Sequence, residues 1–105
     1  MKEIVQTPSF RCWEQNLKDK RLKTLIAARL FRLANGLPGD VKPVGEGVSE
    51  LRIHYGPGYR IYFKHYDEIL LVLLSGGNKS SQDRDIQLAK TFARSLEPNE
   101  FISYE

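Results

Sequence analysis

Val48-Ser49-Glu50-Leu51-Arg52-Ile53-His54-Tyr55, followed by Gly56-Pro57-Gly58 and then Tyr59-Arg60-Ile61-Tyr62-Phe63-Lys64-His65-Tyr66, is the stretch that decides the fold class. Val48, Leu51, Ile53 and Tyr55 are set apart by polar Glu50, Arg52 and His54. Successive side chains on a strand point to opposite faces, so this period reads as a half-buried strand with Arg52 and His54 on one face. The Gly-Pro-Gly connection is too short for anything but a tight turn. Beyond it the alternation resumes, with Arg60, Tyr62 and Lys64 on one face and Ile61 and Phe63 on the other.

Working outward, Asp67-Glu68 makes the next turn, and Ile69-Leu70-Leu71-Val72-Leu73-Leu74 is apolar on both faces, the pattern of a central strand. Gly76-Gly77-Asn78 is expected to end it, with Ser80 or Ser81 capping a last helix along Ile86, Ala89, Phe92, Ala93 and Leu96. Upstream, Val41–Val44 is a short edge segment marked by Pro43, preceded by the turn Pro38-Gly39-Asp40. Two helical segments come before that. One starts at Thr7-Pro8 and carries Phe10, Trp13 and Leu17. The other runs from about Asp19 to Ala34 along Leu22, Leu25, Ile26, Leu30 and Leu33, and ends at Asn35-Gly36. Lys2–Gln6 opens the chain as a strand. The expected order is β-α-α-β-β-β-α. This is an α+β domain with a mainly antiparallel sheet, helices packed on one face and the other face free.

At 105 residues the chain is read as one domain. Apolar residues at 41% and charged residues at 28% describe an ordinary globule rather than a disordered chain. The six-residue run Ile69–Leu74 is far short of the roughly 20 residues of a membrane span. The Met-Lys-Glu-Ile-Val-Gln start has no apolar segment of a secretory signal, so the expectation is a cytoplasmic protein with no membrane partner. Cys12 has no partner for a disulfide and reads as a small buried hydrophobe. Charge is uneven: residues 1–66 hold 12 Lys and Arg against 6 Asp and Glu, and residues 67–105 hold 4 against 7. A basic face favours an anionic partner, and nucleic acid is the obvious one.

Two histidines and one cysteine lack the spacing of a metal site, and no cofactor motif is present. The Gly56-Pro57-Gly58 turn lacks the strand–helix setting of a phosphate loop, and Ser75 is in no nucleophile-elbow sequence. What remains is the cluster on the middle strands. Arg52 and His54 share one face, Arg60 and Tyr62 share a face of the neighbouring strand, and Lys79 sits just past the central strand. Taken singly, each reads as a solvated outward side chain. Together they suit a phosphodiester, because arginine forms charge-assisted bonds to phosphate oxygens and tyrosine offers a face for a base.

The chain resembles the RelE/ParE superfamily of type II toxins, and within it the HigB-like addiction-module killer proteins. The likeness rests on Phe10, Trp13 and Leu17, on Arg29-Leu30-Phe31-Arg32-Leu33, and on Gly39-Asp40 with Lys42 and Val44-Gly45. It continues through Gly47–Ile53 and Tyr55–Phe63 to Leu73-Leu74, Gly76-Gly77, Lys79, Gln82, Asp85-Ile86 and Ala89. The resemblance implies a toxin that cuts messenger RNA on the ribosome without a metal, by attack of a ribose 2′-oxygen on the adjacent phosphate. It implies His54 as base or acid, Arg60 and Arg52 on the phosphate, and Lys79 as a second charge stabiliser. Tyr62, Lys64 and Gln82 would contact substrate. It further implies an antitoxin from an adjacent gene, helix-turn-helix in type, through which alone the pair would meet operator DNA. The pattern departs where RelE has a catalytic tyrosine near its C-terminus: only Tyr104 is available, and Gln82 or Asp83 would be distant analogues of the C-terminal polar group used by HigB. Two other readings stay open, a ParE-like toxin acting on DNA gyrase and a nucleic-acid-binding module that cuts nothing.

Overall fold

A computed structural model describes residues 1–104. Its centre is a six-stranded sheet formed by β1 (Glu3–Gln6), β2 (Val41–Gly45), β3 (Val48–Ile53), β4 (Tyr59–His65), β5 (Leu70–Asn78) and β6 (Ile102–Ser103), in the spatial order β2-β3-β4-β5-β1-β6. Among the described residues only β1 and β5 pair in parallel. The helices are α1 (Pro8–Gln15), α2 (Lys20–Ala34) and α3 (Gln82–Arg94). The class is α+β, with a mostly antiparallel sheet. Four strands, not three, separate α2 from α3, because Val41–Gly45 is a full edge strand. The two-residue β6 closes the other edge against β1, a segment too short to register as a strand in sequence.

Helix starts follow the capping chemistry. Thr7 Oγ1 accepts from Phe10 N and donates to the Leu74 carbonyl at 2.7 Å, which ties the first turn of α1 to β5. Asp19 Oδ1 accepts from Arg21 N and Leu22 N at the start of α2. At its end Gly36 takes the left-handed conformation (φ 84°) and Asn35 does not. Leu22, Ile26, Leu30 and Leu33 form the buried stripe of α2, each contributing about 1.5–3 kcal/mol relative to exposure.

One expectation is corrected here: helices cover both faces of the sheet. Phe10 of α1 and the α2 stripe pack on Leu51, Ile53, Ile61, Phe63, Leu71 and Leu73. On the opposite face Ala89, Ile86 and Phe92 of α3 pack on Val48, Tyr62, Val72 and Leu74. The doubly apolar β5 needs cover on both sides, and α3 supplies the second. Nor does β5 stop at Gly76-Gly77; it runs through to Asn78. A side chain at Gly76 would collide with the Trp13 ring and one at Gly77 with the Asp85 carboxylate, so both glycines let opposite layers approach the backbone. The cap beyond is Asn78, whose Oδ1 accepts from Ser80 N and leads a short 3-10 turn, Lys79–Ser81, into α3. Ser81 stands at the α3 N-cap but turns its hydroxyl to donate to Asp85 Oδ2. Cys12 is exposed rather than buried, on the outer side of α1. No helix among the described residues is long and apolar enough to cross a membrane.

Candidate phosphate-binding site

The β3–β4 hairpin places Arg52 opposite Arg60 and Glu50 opposite Tyr62. Directly opposed antiparallel residues share a face, so all four project toward the α3 side. Helix α3 begins only at Gln82 and covers Val48 and Tyr62, leaving the hairpin end of that face open. The turn is shaped by Gly56 (φ 55°) and Gly58 (φ 85°), conformations that other residues adopt with strain. The Gly58 carbonyl accepts from Lys79 N at 3.1 Å, which brings the end of β5 against the hairpin tip. The result is an open cavity of about 380 Å³ lined by Arg52, His54, Tyr55, Tyr59, Arg60 and Lys79, together with the turn itself.

Beneath the cavity lies a carboxylate that in sequence is one more polar residue of the β3 alternation. Glu50 is 1% exposed. Its Oε1 accepts from Arg60 Nε at 2.7 Å, from Gln82 Nε2 at 3.1 Å and from Arg52 Nε at 3.4 Å; Gln82 also reaches Oε2 at 3.3 Å. A buried carboxylate is tolerated only with such donors around it. Its signal in sequence was parity: Glu50 lies two residues before Arg52, on the same face.

His54 stands just past the end of β3 and its side chain is 76% exposed. Its Nε2 meets Asp40 Oδ2 at 2.5 Å, and Arg52 Nη1 lies 3.8 Å from the other oxygen. The hydrogen bond from His54, and then the nearby guanidinium of Arg52, hold the Asp40 carboxyl below the usual range. With Nε2 engaged, Nδ1 is the ring atom left to exchange a proton. In sequence Asp40 is a turn residue after Pro38-Gly39. The backbone pairing of Arg52 N with the Asp40 carbonyl at 2.9 Å is what brings it beside His54.

The structure brings together Arg52, His54, Arg60 and Lys79, and separates the other expected contacts. Tyr62 is fully buried under α3 with its hydroxyl unpartnered, and burial raises its phenol above the ordinary range. It has no free face for a base, so the stacking role is corrected. Lys64 pairs with Val48 at the far end of the hairpin, beside Gly47, and does not reach the cavity. Gln82 holds Glu50 rather than facing open solvent, while Asp83 lines a neighbouring cavity that shares Lys79. Tyr104 packs on Phe10 and donates to Glu14 Oε2 at 2.8 Å, on the α1 side of the sheet. No group of three His, Cys, Asp or Glu among the described residues is placed to hold a metal ion.

No family model matches the sequence. Over 94 residues the chain is 47% identical to an uncharacterized protein of Haemophilus influenzae, across 90% of this chain and 95% of that one. The chain belongs to the family of that protein.

Proposed function

We propose that the chain is the toxin of a type II toxin–antitoxin pair, a ribosome-dependent endoribonuclease that cleaves messenger RNA by 2′-oxygen attack. The observation that carries the reading is the convergence of Arg52, His54, Arg60 and Lys79 on one open cavity. In this reaction the 2′-oxygen bonds to phosphorus and the bond to the leaving 5′-oxygen breaks, the departing oxygen taking a proton from water, giving a 2′,3′-cyclic phosphate and a 5′-hydroxyl. The 2′ proton passes to His54 at Nδ1, with Asp40 holding the imidazole and offsetting its new charge. Arg60 and Arg52 take the non-bridging oxygens, where charge builds in the transition state, and Lys79 adds a third cation. The partners on this reading are the ribosome with its message, and a helix-turn-helix antitoxin from an adjacent gene that mediates any contact with operator DNA.

The test is inducible expression of wild type, Arg60→Ala and His54→Ala in a bacterium, with mapping of messenger RNA 5′ ends. Growth arrest with new cuts in translated messages, lost in both variants, supports the nuclease. Arrest with intact messages moves the target to gyrase or another protein. RNA binding that weakens with salt but yields no cuts leaves a binding module.

A further inference from the structure

Glu50 presents a problem that anion binding alone does not answer. A carboxylate beneath a phosphate site repels the ligand, and a residue serving only to fill the sheet would be apolar. Yet this side chain, 1% exposed, collects donors from three elements: Arg52 of β3, Arg60 of β4 and Gln82, the first residue of α3. Both arginines approach it through Nε. An arginine held by Nε keeps its terminal NH₂ groups for an anion, as Arg60 does, while Arg52 has Nη1 3.8 Å from Asp40 and its Nη2 for the ligand. Arg60 Nη1 accordingly lies on the Gly58 turn that lines the cavity, and its side chain is 13% exposed.

We infer that Glu50 is the positioning residue of this site: a buried anion that fixes the guanidinium planes of Arg52 and Arg60 so that their terminal nitrogens converge on one phosphodiester. The inference rests on the RNA-cleaving reading for its reaction, and on the geometry for its mode of action. Arginine is a long, flexible side chain, and an unheld pair would bind an RNA backbone about as well but in many orientations. Transition-state stabilisation needs donors already aimed at the developing charge. Gln82 secures the carboxylate at both oxygens and couples it to the start of α3.

A positioning role and an affinity role differ in sign. Glu50→Gln removes a negative charge from beneath an anion site, so binding of a single-stranded RNA oligonucleotide stays level or tightens. Cleavage of a defined message on translating ribosomes falls by about a hundredfold in rate at saturating protein. Glu50→Asp keeps the charge at shorter reach and recovers part of that rate. Folding of each variant is followed by the emission of Trp13. In a folded Glu50→Gln protein, cleavage at the wild-type rate overturns the inference, and so does loss of binding in proportion to loss of cleavage. Should Glu50→Gln not fold, ¹⁵N spectra of the wild type decide: slowed exchange at the Arg52 and Arg60 Nε–H supports the clamp, and exchange as fast as at exposed Arg11 overturns it. Wild-type protein that leaves messages intact refutes the RNA reading instead. The clamp is then judged on the same Nε–H exchange and on binding of inorganic phosphate, which Arg60→Ala abolishes and Glu50→Gln does not.

Discussion

Replacing Arg60 by alanine removes the shortest donor to a carboxylate that has almost no access to water. The ion pair is 2.7 Å long, with side-chain exposures of 13% and 1%. Breaking one side of a buried pair costs roughly 3–5 kcal/mol, because the surviving charge is left uncompensated. Here Gln82 and Arg52 remain on Glu50, so the cost is set at the low end, about 3 kcal/mol. In a domain near 100 residues that lowers Tm by on the order of 12 °C. Glu50→Gln alone costs about 1–2 kcal/mol, since the amide oxygen still accepts from Arg60. The double variant has no buried charge left, so its cost falls short of the sum of the singles by about 1.5–2 kcal/mol. Urea denaturation followed by Trp13 emission measures all four proteins, with equal slopes required for the comparison. Singles that add to within about 0.5 kcal/mol in the double, or an Arg60→Ala protein as stable as wild type, would refute the buried-hub reasoning.

Tyr62→Phe removes a buried, unpartnered hydroxyl and is expected to leave stability level or slightly raised in urea melts, with cleavage unchanged. A lost activity would return this residue to the site. Gly77→Ala drives a methyl into the Asp85 carboxylate and is expected to destabilise by roughly 1–3 kcal/mol, measured by thermal melting, with Asp85→Ala restoring part of the loss. Asp40→Asn is expected to slow cleavage roughly tenfold or more at neutral pH, because the carboxylate that holds the His54 ring and offsets its charge is gone; an unchanged rate would remove Asp40 from the reaction. Glu14 is half-buried and its pKa is raised, first by that burial and against the hydrogen bond from Tyr104. A carboxyl with a raised folded pKa stabilises the fold below its unfolded pKa and loses that contribution as pH rises through the folded value. Glu14→Gln should therefore melt above wild type at about pH 8, with the advantage vanishing near pH 4.

Periodicity by itself determined most of the elements. The alternation of Leu51, Ile53, Ile61 and Phe63 against Arg52 and Arg60 specified a hairpin and put both arginines on one face, and the 3–4 spacing from Leu22 to Leu33 specified α2. Those are local properties, carried by backbone geometry within a few residues. Which face α3 would take was not local. The doubly apolar run Leu70–Leu74 demanded two covers, but nothing along the chain said that the second would bury Tyr62 and stop short of Arg60. Gly76 and Gly77 read as a strand end because nearby glycines usually punctuate; only Trp13 and Asp85, from opposite layers, explain why the strand continues through them. Glu50 and Asp40 were legible as residue types and not as partners. A carboxylate's role depends on which donors reach it, and those donors arrive from separate strands and from the first residue of α3, up to 32 positions away along the chain. Position along a strand sets a side chain's face; only packing sets its depth and its company.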